Sequence, residues 1–413
     1  EKFSSQSIPE FYSHKVIGKN IHEEDGSFVD REFPPKASSL YNINTSKLHR
    51  NELRIWKEFS WKRPSEWMSG EPKLFDGDID PSNLVEGYLG NAYFISTLKA
   101  LAENPENIKR LFDMNKPTKE GQYIVNLCLN GENYKVEVDD FFPYCDKMKK
   151  PAFIRSKKNE IWPMLIEKAW AKVSGSYENS IKGLCCESFR ALTGAPVEYV
   201  NHTYIKEVWS KISEAFYEGS IICAMAEKES SNSFSNDDFD LFSAYAYAVT
   251  KVHEIDSDEG KIKILQIRNP GTQKWLSMFS DTSKVWRSEV KKAGLKPASN
   301  DSILISIEDY LCYFRTTLIC KANSRFAASS LRCKQNFGEA SLIRISVSSS
   351  EKVSFTATQF NQKYVGRSKS KDPSFIRMIV GKENENPKDQ KAFPITYIGG
   401  LSGFEESLTI TKD

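Results

Sequence analysis

The sequence predicts an α+β fold in three consecutive parts: a helix-rich first half, a sheet-rich second half, and a closing run of short alternating strands. Three observations predict it. Apolar residues recur three or four apart over 91–104, 160–173 and 186–193, the spacing of a helix with one buried face. Strand-like runs then dominate at 220–226, 243–255, 261–268 and 302–306. After about residue 322 strict alternation takes over, in Leu342–Val347, Val353–Thr358, 376–380 and 395–398, as in an antiparallel sandwich.

Each element has a local reason. Residues 1–27 are mixed polar sequence and read as an extension. In the run 91–104, Phe94, Ile95, Leu98, Leu101 and Ala102 share one face, with Asn91 as the expected N-cap. Tyr123–Cys128 and Tyr134–Val138 flank Asn130-Gly131, a strong hairpin cue. A helix at about 205–217 ends near Gly219, and Asp256–Gly260 supplies a turn between two strands. The expected parts are therefore 1–27, 28–204, 205–321 and 322–413. The chain opens at Glu1 and stops in the strand-like Ser407–Thr411, so the sandwich is expected to be incomplete and the natural protein longer.

Composition narrows the function. The 57 basic and 55 acidic residues leave a net charge of +2, which gives no electrostatic case for nucleic acid as the main partner. No apolar run approaches a membrane span. The 8 cysteines have neither CxxC spacing nor disulfide-framework density, and contexts such as Ile221-Ile222-Cys223 suit small core residues in a reducing compartment. His14, His22, His49 and His202 show no metal-ligand spacing.

The most informative stretch is Glu86-Gly87-Tyr88-Leu89-Gly90-Asn91-Ala92-Tyr93-Phe94, a glycine loop running into a helix. A thiol in such a first turn would have its pKa lowered by the helix dipole. This stretch resembles the nucleophile segment of the calpain family of papain-like cysteine proteases, Gln-Gly-x-Leu-Gly-Asp-Cys-Trp. Gly87, Leu89 and Gly90 match; Glu86, Asn91, Ala92 and Tyr93 replace the other four. Phe28–Pro35, Trp61–Glu66, Trp162–Glu178, Ser188–Gly194 and Ile267–Pro270 resemble further calpain motifs in the family's order, so the likeness covers roughly residues 28–320. It implies a two-lobed core with its cleft between a helical and an antiparallel β lobe, followed by a calpain-type β-sandwich.

The resemblance also implies a degenerate triad. Ala92 stands for the nucleophile, Tyr245 in Ala244–Val249 for the histidine, and Asn269 for the orienting asparagine, though with no imidazole to orient it reads rather as a turn former before Pro270. A phenol of pKa about 10 is about 0.1% ionised at neutral pH and makes a poor base. His253 lies eight residues further along the strand than Tyr245, roughly 26 Å away at about 3.3 Å per residue. Glu86 puts an acceptor where the oxyanion needs a donor. Losing nucleophile or base alone costs about 10⁶ in turnover. A single laboratory Cys→Ala change would have left the other positions intact, so natural degeneration is the reading.

No cofactor is expected. The calcium candidates are Asp76, Asp78 and Asp80, with Asp281 carried over from the resemblance. Against them stand Lys274 and Asn300-Asp301-Ser302 where the family has acids, and Pro81 and Gly87 where an EF-hand needs glycine and glutamate. The polar segment Glu229–Asp238 reads as a surface loop beside the cleft, and Lys363, Arg367, Lys369 and Lys371 as a solvated basic loop. The expectation is a catalytically inactive calpain-like module. It binds protein partners in a multi-subunit cytoplasmic assembly, of cytoskeletal or ciliary kind, without nucleic acid and without membrane association. Its cleft would hold a peptide or be closed by Tyr93 and Tyr245. The alternatives are a hydrolase using Glu86 or Tyr245, and a membrane-recruitment adaptor acting through the sandwich.

Overall fold

A computed structural model describes residues 15–18, 26–114, 118–203, 207–225, 246–257, 260–268, 292–295, 302–322, 343, 353–358, 376–381, 395–401 and 407–412. The fold is α+β.

The first half is helices set among small sheets. Strand β1 (Lys15–Ile17) is followed by α1 (Ala37–Leu40), α2 (Arg50–Trp56), β2 (Ser60–Lys62) and β3 (Leu84–Val85). Next come α3 (Ala92–Ala102), α4 (Pro105–Lys109), β4 (Gln122–Leu129), β5 (Glu132–Asp139), β6 (Phe142–Cys145), β7 (Lys150–Pro151) and β8 (Arg155–Ser156). Helices α5 (Trp162–Ser174) and α6 (Cys185–Thr193) close the half. The β4–β5 hairpin turns at Asn130 and Gly131, whose φ values of 53° and 78° are those a tight primed turn requires. Helix α5 ends at Gly175 with φ 91°, a left-handed cap that a β-carbon would strain. β1 belongs to the expected extension, yet it pairs in parallel with β5, Lys15 opposite Tyr134.

Buried charges tie these elements together. Lys168 on α5 donates to Asp139 and to the Phe141 carbonyl; Lys172, one turn on, donates to Asp30 and to the Glu137 carbonyl. Asp139 also accepts from the Asp30 and Phe141 amides. Arg63 pairs with Asp140 and donates to the Phe28 carbonyl. Three of the recognised motifs, around Asp30, Arg63 and Lys168, are therefore parts of one scaffold rather than of a reactive centre.

The second half is a six-stranded antiparallel sheet. Its strands are β9 (Val197–Asn201), β10 (Ile221–Met225), β11 (Ala246–Ser257), β12 (Gly260–Arg268), β13 (Ser302–Ser306) and β14 (Thr316–Cys320), in spatial order β13-β12-β11-β10-β14-β9. β9 lies upstream of residue 204 but forms an edge of this sheet, so sheet character begins before the expected boundary. Helices α7 (Val208–Tyr217) and α8 (Ile307–Tyr313) accompany it. One sheet face, with Ile222, Ala224, Tyr247 and Ile319, packs on α7 and α8. The other, with Cys223, Ala246, Ala248, Leu318 and Cys320, shares a core with α3, α5 and α6. The two halves thus meet across one apolar interface.

Beyond residue 322, β15 (Val353–Thr358) pairs antiparallel with β18 (Ser407–Lys412), and β16 (Ile376–Gly381) with β17 (Ile395–Leu401). The run Leu342–Val347, Glu229–Asp238 and the basic loop at 363–371 fall outside the described residues, apart from Ile343.

Candidate functional site

Helix α3 positions the site. Gly87 runs so close to β7 and the residues after it that a β-carbon would strike the Ala152 and Phe153 carbonyl oxygens, and Gly90 turns the chain with φ 71°. Ala92 is the first residue of α3 and 8% exposed. A methyl group therefore occupies the place where the helix start would activate a thiol. Asn91 precedes the helix but does not cap it: its side-chain amide donates instead to Glu167 Oε1 at 2.9 Å. The helix starts on the Asn91 carbonyl, which accepts from the Phe94 and Ile95 amides.

Glu167 is a site residue that sequence reasoning passed over. It is fully enclosed on α5, directly behind Asn91, and Oε2 accepts from the Ile154 amide at 3.2 Å. Burial pushes its carboxyl up to about 8; the two hydrogen bonds work against the rise and the Glu86 carboxylate adds to it. The Asn91 Oδ1 has no hydrogen-bond partner among the described residues, although it is buried beside this acid. A carboxyl in the apolar run Leu165-Ile166-Glu167 was the available signal.

At the mouth, half-buried Glu86 has its carbonyl held by the Arg155 guanidinium at 3.3 Å. Burial lowers the Arg155 pKa and the nearby Tyr88 raises it. Tyr93 does not close the cleft. Its ring is buried, its hydroxyl donates to the Ser180 carbonyl at 2.9 Å and accepts from Trp170 Nε1 at 3.0 Å. A phenol with two such internal partners is a core group.

Tyr245, Asn269 and Asp281 lie outside the described residues, but the neighbours of the first two are placed. The Ala246 amide donates to Ser96 Oγ at 3.0 Å. Ser96 is one helical turn from Ala92, about 6 Å along α3. Arg268 makes a two-pronged ion pair with Glu103 at the far end of the same helix. His253 is well down β11, opposite Ile264, with its pKa lowered by burial and by Lys251.

The acidic loop is differently employed. Asp76 pairs with Lys73 at 2.6 Å, and Asp80 caps the short turn at Pro81–Asn83 by accepting from the Ser82 amide. The Lys158 ammonium donates to the Asp76 and Asp78 carbonyls at 3.1 and 2.8 Å. A cation of the chain itself thus sits on the loop's inward oxygens. Lys158→Ala is expected to loosen this loop by about 1.5–3 kcal/mol, the range for hydrogen bonds to a charged group. Hydrogen exchange at the Asp78 and Ile79 amides should rise while exchange in α5 stays unchanged.

A sequence profile described as calpain family cysteine protease matches residues 28–321. The chain is 31% identical over 319 residues to the calpain-type cysteine protease DEK1 of Arabidopsis thaliana, covering 73% of this chain and 14% of that protein. It is 28% identical over 351 residues to calpain-5 of Caenorhabditis elegans, covering 75% and 52%, and 27% identical over 305 residues to human calpain-9, covering 71% and 42%. A helical half and an antiparallel sheet meeting along α3 define a calpain-type protease core. The chain belongs to the calpain family. It spans only a part of the length of these relatives, from 14% of the plant protein to 52% of the worm one.

Proposed function

We propose that this chain is a calpain-family core without peptidase activity, serving as a protein-binding module in a larger cytoplasmic assembly of cytoskeletal or ciliary kind. The observation that carries the reading is Ala92 at the first position of α3. Covalent acyl transfer needs a nucleophile at this point, and a methyl group has no lone pair to donate. Glu86 and Tyr245, in the places the family gives to the oxyanion donor and the imidazole, support the same conclusion. Substrate carbonyl polarisation would meet a carboxylate instead of a donor.

The Lys158 ammonium supports a second part of the reading, that the loop at 76–80 is held by a lysine and needs no calcium. Incubation with casein or a fluorogenic peptide, with and without calcium, should give turnover indistinguishable from the buffer blank. Turnover abolished by Glu86→Gln or Tyr245→Phe would overturn the assignment. Millimolar calcium should leave the thermal unfolding midpoint where it was.

A further inference from the structure

Helix α2, the loop before α3 and the β6–β7 hairpin bring exposed apolar and basic side chains onto one face. The face is traced by contacts. Glu58 pairs with Lys147, the residue before Met148; Phe59, next to Glu58, has its ring 6.0 Å from that of Tyr88. Met148 is 51% exposed at the hairpin tip, Tyr88 43% on the glycine loop, and Ile55 39% on α2. These three large apolar groups, partly in water on elements joined by those contacts, offer apolar anchor points for a partner.

The charges around them are mostly positive. Glu58 is engaged by Lys147, Asp146 by Lys62 and Glu52 by the His49 amide, while Glu86 lies on the glycine loop two residues before Tyr88. Lys57, Lys149 and Lys150 have no carboxylate partner among the described residues, and Arg54 adds its charge beside Glu58. On a chain whose total net charge is +2, that is a local excess of positive charge.

We infer that the face formed by Ile55, Tyr88, Met148 and the surrounding lysines docks an acidic protein segment carrying apolar anchors. The inference rests on the reading of the chain as a binding module and names its partner's chemistry. Tyrosine and methionine are residues that protein interfaces favour, and the lysines suit the polar rim around them. The apolar groups are spread over three elements, which suits a segment laid across them; a lipid surface would call for them gathered at one protruding tip. The glycine loop contributes Tyr88, so an occupant here would border the cleft as well.

The test uses the full chain and a fluorescein-labelled peptide of glutamates interspersed with leucine and phenylalanine, read by anisotropy. Vesicles of phosphatidylcholine and phosphatidylserine form the second arm. Binding to the peptide should weaken with salt. Met148→Asp and the pair Lys149→Glu/Lys150→Glu should each weaken it about tenfold or more, the equivalent of about 1.4 kcal/mol. Lys109→Glu, at a distant position on α4, should leave it unchanged. Met148 and Lys149 are exposed and Lys150 and Lys109 half-buried, and circular dichroism checks that each variant is folded. Absence of binding, equal loss in the Lys109 control, or capture by vesicles in preference to the peptide overturns the inference. None of these outcomes depends on the peptidase assay, so the docking face and the loss of catalysis stand or fall separately.

Discussion

Lys168→Met is expected to lower the free energy of unfolding by about 3–5 kcal/mol, the range for removing one partner of a buried ion pair. The reason is what the substitution leaves behind. Asp139 is fully buried, and its other ligands are the Asp30 and Phe141 amides, which cannot neutralise a carboxylate. The Phe141 carbonyl loses its donor as well. Contrast the exposed pair Lys109–Glu106 on α4, where water replaces a lost partner and the change should be about 0–1 kcal/mol. Urea titration separates the two: the midpoint should fall steeply for Lys168→Met with the slope unchanged, and hardly at all for Lys109→Met. A loss below about 1 kcal/mol for Lys168→Met would show that Asp139 takes a proton or finds water instead.

The second large effect is a pH dependence carried by Glu167. Its folded pKa is raised to about 8 from an ordinary 4.5. The folded state therefore binds the proton more tightly than the unfolded chain. The stability this brings is fully present below pH 4.5 and is lost as pH rises through 8. Each unit between the two values is worth about 1.4 kcal/mol, so the loss across that window amounts to several kcal/mol. Glu167→Gln keeps the shape and removes the titration, although its amide nitrogen takes the place of one of the two oxygens that accept from Asn91 and Ile154. Relative to the parent, the variant should gain several kcal/mol between pH 5 and pH 8.5, as read by thermal unfolding at both values. Equal stability differences at the two pH values would mean that Glu167 ionises with an ordinary pKa.

How much of this was legible in the sequence depends on the range of the forces involved. Short-range signals were clear. Asn130-Gly131 announced the β4–β5 hairpin, the period of Phe94, Leu98 and Leu101 gave α3, and alternation found β15 to β18. Motifs carried the family, and three of them place Asp30, Arg63 and Lys168 in ion pairs that tie the first half together. Less legible was whatever depends on which way a side chain turns. Asn91 looked like a cap but serves Glu167, and Tyr93 looked like a plug but is part of the core. Lys158 reaches the Asp76 carbonyl across 82 residues of chain, a contact that no window along the sequence contains. β9 joins the second sheet because Val197–Asn201 finds β14 more than a hundred residues on.

The account rests on a cleft that kept its geometry while its reacting groups changed, and the pH profile of alkylation at position 92 tests this most directly. The protein carrying Ala92→Cys is treated with iodoacetamide across the pH range, alongside the pair Ala92→Cys/Tyr245→His, with the parent protein as the background for its own cysteines. If residues 92 and 245 face each other, the histidine should stabilise the thiolate and move half-maximal alkylation down by about one pH unit or more. Superimposable profiles for the two variants would place residue 245 away from the start of α3 and contradict the account.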